Sequence, residues 1–264
     1  MSSIVLYEIR SRAAVITINR ADKHNALSRA LIADLHAAFE RARDDSEARC
    51  VVLTAIGKVF CAGMDLSELA ETLQLKDDEA GIIWDDVKRL CDLFQLIYTL
   101  PKPTVAAVNG SAVAGGAGLM TVCDLAIAVP EARFGYPEVR RGLVAAMVMP
   151  HLLRHIGERA ARQMLLTGEL IDAAEAYRVG LINEVVGAEV LQERAMALAA
   201  MLVQGGPNAL AKTKELLQRF SRQSVSLEET ARASAEPRLT RECRDGLEAF
   251  FAKRPVPWAV VSGE

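Results

Sequence analysis

The chain has 264 residues, 51% of them hydrophobic, and a formal net charge of −3. That is enough apolar material for one large domain, and its scattered Lys and Arg residues form no basic face for nucleic acid. The five cysteines, Cys50, Cys61, Cys91, Cys123 and Cys243, are odd in number and widely spaced, with no CxxC pair, which argues against a disulfide framework or zinc ribbon and for reduced thiols in a cytosol.

The N-terminal Met1-Ser2-Ser3-Ile4 lacks the basic-then-apolar pattern of a signal peptide. Residues 4–10 and 13–19 alternate as strands about a Ser11-Arg12 turn, a hairpin pattern. Leu27, Leu31, Leu35 and Phe39 recur every fourth residue, one stripe of an amphipathic helix with Ser28 as a candidate N-cap. A short β-rich run follows at residues 50–55. The next helical pattern holds Val87, Leu90, Cys91, Phe94 and Tyr98, and Pro101 and Pro103 end it. Strands are predicted at residues 104–108 and 125–129, so strand and helix alternate to about residue 130, an α/β pattern with crossover connections. Beyond Glu138 the pattern turns helical. Asp172 with Glu175, and Ser226 with Glu229, have capping-box spacing, and Gly168 and Gly180 read as helix stops.

Residues 103–123 carry no charge and are long enough to cross a bilayer. Pro103, Asn109-Gly110-Ser111 and Gly115-Gly116 break that stretch, and an open loop in lipid would strand backbone polar groups. The same stretch holds the densest functional signal. A strand ending in Asn109-Gly110-Ser111 leads into Val113-Ala114-Gly115-Gly116-Ala117-Gly118, where small residues opening a helix leave bare N–H groups facing outward. Phe60-Cys61-Ala62-Gly63-Met64-Asp65-Leu66 offers a second such turn. Phe134-Gly135-Tyr136-Pro137-Glu138 brings a carboxylate into an apolar setting on a rigid, extended approach.

These segments resemble the crotonase family, the enoyl-CoA hydratases and isomerases. The likeness extends from Asn19-Arg20-Ala21-Asp22-Lys23-His24-Asn25-Ala26-Leu27-Ser28, through Cys123-Asp124-Leu125-Ala126 and Gly180-Leu181-Ile182-Asn183, to residues 246–254. It covers nearly the whole chain. The resemblance implies an α/β fold, a spiral of strand–strand–helix turns over residues 1–200 carrying the acyl-CoA site. A C-terminal helical region, 201–264, would build a homotrimer, or a hexamer of two trimers. It implies an acyl-CoA thioester as partner, no nucleic acid, no membrane and no separate cofactor, with CoA arriving as part of the substrate. Its reading as an enzyme of fatty acid metabolism is cytoplasmic.

Carried over position by position, the backbone N–H groups of Met64 and Gly115 match the family's oxyanion-hole donors, and Glu138 matches its second catalytic glutamate, an acid/base for a thioester enolate. Lys23, His24 and Ala26 match the place that meets the CoA nucleotide. Ala62 and Leu66 match positions lining the adenine and pantetheine slot, and Asp65 and Gly116 are counted with them among the substrate- and CoA-binding residues. Phe250 and Lys253 match residues lent to CoA across a subunit contact. Gly118 departs from the pattern, because the two-glutamate hydratases carry their first glutamate there. Glycine can neither hold a water nor donate a proton, so hydration in its usual form needs another acid, with Glu68 and Glu71 as candidates. The family favours hydration of a 2-enoyl-CoA, including branched or dicarboxylic chains. The chemistry of one glutamate favours a 3,2 double-bond shift. A CoA-ester-binding protein with little turnover is the third reading.

Other chemistries find less support. His151 and His155 are four apart, but no HExxH and no third ligand accompany them. No GxGxxG, GK[ST] or GxSxG is present.

Overall fold

The computed structural model describes residues 3–71, 80–221 and 240–258; the Ser226–Glu229 spacing lies outside them. The N-terminal hairpin pairs β1 (Val5–Arg10) with β2 (Ala13–Ile18) through Ser11 and Arg12, both at positive φ (46° and 64°). Two left-handed residues in a two-residue loop match the twist of the flanking strands. Ser28 caps α1 (Arg29–Asp44) by accepting from Leu31 N at 3.2 Å. Leu31, Leu35 and Phe39 are fully buried along its inner face. Leu27, the first residue of that apolar stripe, precedes the helix and pairs instead with Met64.

Three successive strand pairs build the body: β3 (Cys50–Ala55) with β4 (Val59–Cys61), β5 (Thr104–Val108) with β6 (Ser111–Val113), and β7 (Leu125–Ala128) with β8 (Arg133–Gly135). The first strand of each pair joins one sheet and the second joins another. The larger sheet runs β1-β2-β3-β5-β7-β10, where β10 is Glu184–Val185, and is parallel beyond the hairpin. The smaller runs β4-β6-β8-β9, where β9 is Ile171–Asp172. Its first three strands are parallel. The strands β3 and β5 are buried along their whole length, as expected of parallel strands covered on both faces.

Between the pairs lie α2 (Leu66–Glu71), α3 (Ala80–Thr99) and α4 (Gly115–Thr121). The stretch that could have spanned a membrane is thus β5, β6 and α4, and among the described residues no helix is long and apolar enough to cross a bilayer. In α3 the buried face is Leu90, Leu93, Phe94 and Ile97, while Val87 is exposed, so the inward stripe is rotated from the one the spacing suggested. The helices α5 (Met149–Thr167), α6 (Ala173–Arg178), α7 (Leu191–Leu202), α8 (Pro207–Phe220) and α9 (Arg241–Phe251) follow. Gly168 ends α5 at φ 62°. Asp172 caps α6 by accepting from Glu175 N at 2.9 Å, but Glu175 turns its carboxylate to Arg178, so the capping box is half formed.

The C-terminal helices are tied to the sheet through one polar hub. Lys214 of α8, 7% exposed, donates to Asp124 Oδ2 at 2.6 Å and to Lys102 O at 3.0 Å. Asp124 Oδ2 also accepts from the N–H and hydroxyl of Thr104, at 2.7 and 2.9 Å. One carboxylate therefore joins the start of β5, the start of β7 and α8.

Candidate active site

Three neighbouring parallel strands of the small sheet each lead within two or three residues to one group of interest. β4 ends at Cys61 and leads to Met64, β6 ends at Val113 and leads to Gly115, and β8 ends at Gly135 and leads to Glu138. Adjacent strands lie about 4.8 Å apart, so the sheet itself gathers two backbone donors and a carboxylate at one end.

The donors are aimed by their neighbours. Leu27 N donates to Gly63 O (2.7 Å) and Asp65 N donates to Leu27 O (2.9 Å). A parallel bridge of this kind uses the groups on either side of Met64 and turns the Met64 N–H to the opposite edge. Gly63, at φ 91°, lies so close to the second loop that a Cβ there would sit 3.6 Å from Gly115 N. Ala114, before the helix, has φ 52° and ψ −126°, a strained conformation for a residue with a side chain, held by Ala114 N donating to Gly135 O at 2.8 Å. The first bond of α4 runs from Gly118 N to Ala114 O (3.0 Å). Among the described residues no backbone bond takes up the N–H of Met64 or Gly115. Gly116 is the contact between the two loops: a Cβ there would lie 2.7 Å from Cys61 C and Cβ.

Glu138 enters on a buried aromatic approach. Phe134 and Tyr136 are fully buried. Thr121 donates to Ala117 O (2.8 Å), so the Tyr136 hydroxyl donates to Thr121 (2.7 Å) and fastens this approach to α4. Oε2 of Glu138 is buried without a hydrogen-bond partner. Burial pushes the carboxyl above the ordinary glutamate value of 4.5, while its own N–H and the nearby Arg141 pull the other way.

The place of the absent side chain at Gly118 is filled with carbon. A Cβ there would lie 2.5 Å from Phe94 Cζ, 2.8 Å from Phe94 Cε2 and 2.8 Å from Val148 Cγ1. Phe94 and Val148 are 2% and 3% exposed. The two acids considered as replacements are committed elsewhere: Glu68 accepts from Arg29 N (2.8 Å) and Glu71 from Arg29 Nη1 (3.0 Å), both at the start of α1.

Residues 8–260 match the family model described as enoyl-CoA hydratase/isomerase. The chain belongs to the enoyl-CoA hydratase/isomerase family. A Thermus thermophilus protein provisionally named an enoyl-CoA hydratase is 42% identical over 93% of this chain and 97% of its own length. A Clostridium acetobutylicum protein named short-chain-enoyl-CoA hydratase is 34% identical over 96% of each chain. Among solved structures, an enoyl-CoA hydratase from Shewanella pealeana superposes with a TM-score of 0.91 at 30% identity, covering 97% of this chain and 96% of the other. The protein is therefore an enzyme of the hydratase/isomerase type, and its strand–strand–helix spiral is the fold of that family.

The positions expected to meet CoA fall into two groups. Ala62 and Leu66 are exposed and Met64 half-buried, whereas the intervening Cys61, Gly63 and Asp65 are buried, so the first three share the open side of the loop. Lys23 and His24 are exposed at the end of a short 3-10 turn, with His24 left-handed at φ 51°. Lys23 O accepts from Ala26 N at 3.0 Å within the turn, and His24 O accepts from Ala62 N at 3.1 Å, which joins the two segments.

Asp65 is a correction. Its carboxylate accepts from Arg20 Nη1 at 2.7 Å and from the N–H and hydroxyl of Ser67, which bonds hold its pKa down at about 2. It is a buried fastening at the start of α2, not a group open to a ligand. Lys253 is exposed, left-handed at φ 52°, just past the end of α9. The side chain of Phe250 lies outside the described residues.

His151 and His155 also resolve into packing. The His151 ring meets Tyr98 edge-on at 4.5 Å, and His155 Nε2 lies 2.9 Å from Thr121 O. Sequence reasoning passed over Asn25, whose amide accepts from Arg20 N and donates to Ile56 O and Val59 O. This buried knot holds the Lys23–His24 turn against β4. A fully buried asparagine that is itself left-handed, at φ 55° after His24, is a signal that a turn pattern carries only weakly. Phe94 was read as one apolar position among several, and nothing local marked it as the neighbour of Gly118.

Proposed function

We propose that the protein acts on an enoyl-CoA thioester through its enolate, with Glu138 as the group that moves the proton. The Met64 and Gly115 N–H groups take the thioester oxygen. The observation that carries this reading is the convergence of these three groups from adjacent parallel strands, with Glu138 Oε2 buried and unpartnered. Donors fixed in place before the charge develops lower the barrier by about 3–4 kcal/mol each. A desolvated carboxyl with a raised pKa suits proton transfer near neutral pH.

The geometry favours a double-bond shift. The Glu138 carboxylate removes a proton from C2 of a 3-enoyl-CoA, the electron pair spreads onto the thioester oxygen, and the same carboxyl returns the proton to C4. The double bond moves to C2–C3, and no water is consumed. Hydration of a 2-enoyl-CoA is the second reading, favoured by the names of the Thermus and Clostridium relatives. It requires another polar group, or a carboxylate of the substrate, to orient the water, since carbon fills the space beside Gly118. Incubation with matched 2-enoyl- and 3-enoyl-CoA thioesters separates the two: net migration of the 3-enoyl bond supports the shift, and faster water addition to the 2-enoyl substrate overturns it.

Lys23, His24 and Ala26 are assigned to the CoA nucleotide, and Ala62 and Leu66 to its pantetheine arm, supported by the exposure of Lys23, His24, Ala62 and Leu66 and by the Ala62 N–His24 O bond between the two segments. Residues 201–264 are assigned to assembly as a homotrimer or a hexamer of two trimers, with Phe250 and Lys253 reaching a neighbour's CoA. In a single chain, α8 leaves Leu217 65% exposed and Leu210, Leu216 and Phe220 only half-buried, an apolar face suited to a second copy. The assignment to the cytoplasm and to fatty acid metabolism rests on the family resemblance alone.

A further inference from the structure

We propose that Phe94 selects the reaction, by closing with hydrocarbon the side of the site from which a second acid would hold water. This rests on the reading of Glu138 as proton carrier. The phenyl ring does not merely line a gap. Its Cζ and Cε2 stand at 2.5 and 2.8 Å from where a Cβ on Gly118 would be, and Val148 Cγ1 closes the same space from the start of α5.

The ring is buried beside a contact between α3 and α5. Four residues on along the same face of α3, Tyr98 meets His151 edge-on at 4.5 Å and lies under the Arg154 guanidinium at 5.5 Å. His151 stands one turn beyond Val148 on α5, and the Val148 carbonyl accepts from His151 N and Leu152 N. This contact between α3 and α5 lies one turn from both Phe94 and Val148. The ring is 2% exposed, and close-packed interiors leave few voids for a buried side chain to move into.

The chemical consequence follows from what water needs. An ordered water requires two or more polar partners, and phenyl and isopropyl groups supply none. A dienolate formed by Glu138 is therefore screened on this side from a competing nucleophile and is reprotonated by the same carboxyl. Gly118 and Phe94 act as a matched pair, since neither a larger residue at 118 with Phe94 present nor a small residue at 94 alone gives a working second acid. Simple restoration of glutamate at 118 meets a filled space.

The test compares wild type, Gly118→Glu, Phe94→Ala and the double variant Phe94→Ala/Gly118→Glu, on crotonyl-CoA hydration and 3-hexenoyl-CoA migration. Thermal melting and butyryl-CoA titration report integrity. In the double variant the carboxylate introduced at position 118 takes the proton of water as the O–C3 bond forms, and Glu138 delivers a proton to C2. The expected result is a lower melting temperature and little hydration gain for Gly118→Glu. The double variant should gain hydration by about tenfold or more over Phe94→Ala. A tenfold gain by Gly118→Glu alone, or a folded double variant that binds butyryl-CoA and gains nothing, overturns the proposal. Should the double variant not fold, Phe94→Ala decides, since its ratio of hydration to migration must rise by more than about twofold, and an unchanged ratio overturns the proposal. Glu138→Gln in the wild-type background tests the underlying reading separately, because its outcome does not depend on residue 94.

Discussion

Gly116→Ala probes how closely the two donor loops must approach. The added methyl group would lie 2.7 Å from Cys61 C and Cβ and nearer still to the Cys61 carbonyl oxygen. Carbon atoms settle at about 3.5–4.0 Å, so β4 and α4 must part by about 1 Å. Much of the obstacle is backbone, and no side chain can swing aside to relieve it. Overpacking of this kind costs about 1–3 kcal/mol, or about 2–12 °C in melting temperature for a chain of this size. The same displacement carries the Met64 N–H away from the Gly115 N–H. A misplacement of about 1 Å at a catalytic group lowers the rate about a hundredfold. Gly81→Ala in α3 is the matched control, since nothing lies within 4 Å of a Cβ there, and it should leave activity unchanged. Thermal melting and kcat/KM on one enoyl-CoA substrate read both effects. Gly116→Ala retaining kcat/KM within about threefold of wild type, at full stability, would refute the close-approach argument.

Because burial raises the Glu138 pKa above 4.5, the acid limb of kcat/KM should lie above pH 4.5, as a pH–rate profile will show. The native state holds that proton more tightly than the unfolded chain, so its stabilising contribution is present below the ordinary value and lost as pH rises through the raised one. Glu138→Gln should therefore melt higher than wild type at pH 8, and equal melting there would contradict a desolvated carboxyl. Lys214→Met leaves Asp124 without its cation. Breaking a buried pair costs about 3–5 kcal/mol, reduced to about 1–3 kcal/mol because the Asp124 side chain is 32% exposed, and denaturant melts will measure it. Removing residues 240–264 should abolish assembly and activity together in light scattering with parallel kinetics; a fully active monomer would defeat the assignment of that region.

The parts legible in the sequence were those with a local signature. The hairpin, the Ser28 and Asp172 caps, and the two turns that present Met64 and Gly115 each announce themselves within a few residues. Glu138 was singled out by its match to the family, with Tyr136-Pro137 and the apolar setting as local support. What escaped was decided by tertiary packing. The sorting of β3/β4, β5/β6 and β7/β8 into two sheets depends on pairings between distant strands. The carbon that fills the space beside Gly118 comes from Phe94 on α3 and Val148 at the start of α5, and no spacing rule links those positions. Asp65 was counted among the binding residues on the resemblance, and no local pattern showed that Arg20 and Ser67 enclose its carboxylate. Leu27 kept helical spacing with Leu31 yet serves the Met64 bridge, since periodicity cannot tell the last residue before a cap from the first within it.

The central claim is that one carboxyl, Glu138, carries the proton beneath two backbone donors. Steady-state turnover of Glu138→Gln on 3-hexenoyl-CoA and crotonyl-CoA, with butyryl-CoA affinity measured on the same preparation, tests it most directly. The account predicts a fall in kcat of about 10²–10⁴-fold on whichever substrate the wild type turns over, with affinity unchanged. Near-wild-type turnover by a variant that binds butyryl-CoA normally would contradict it.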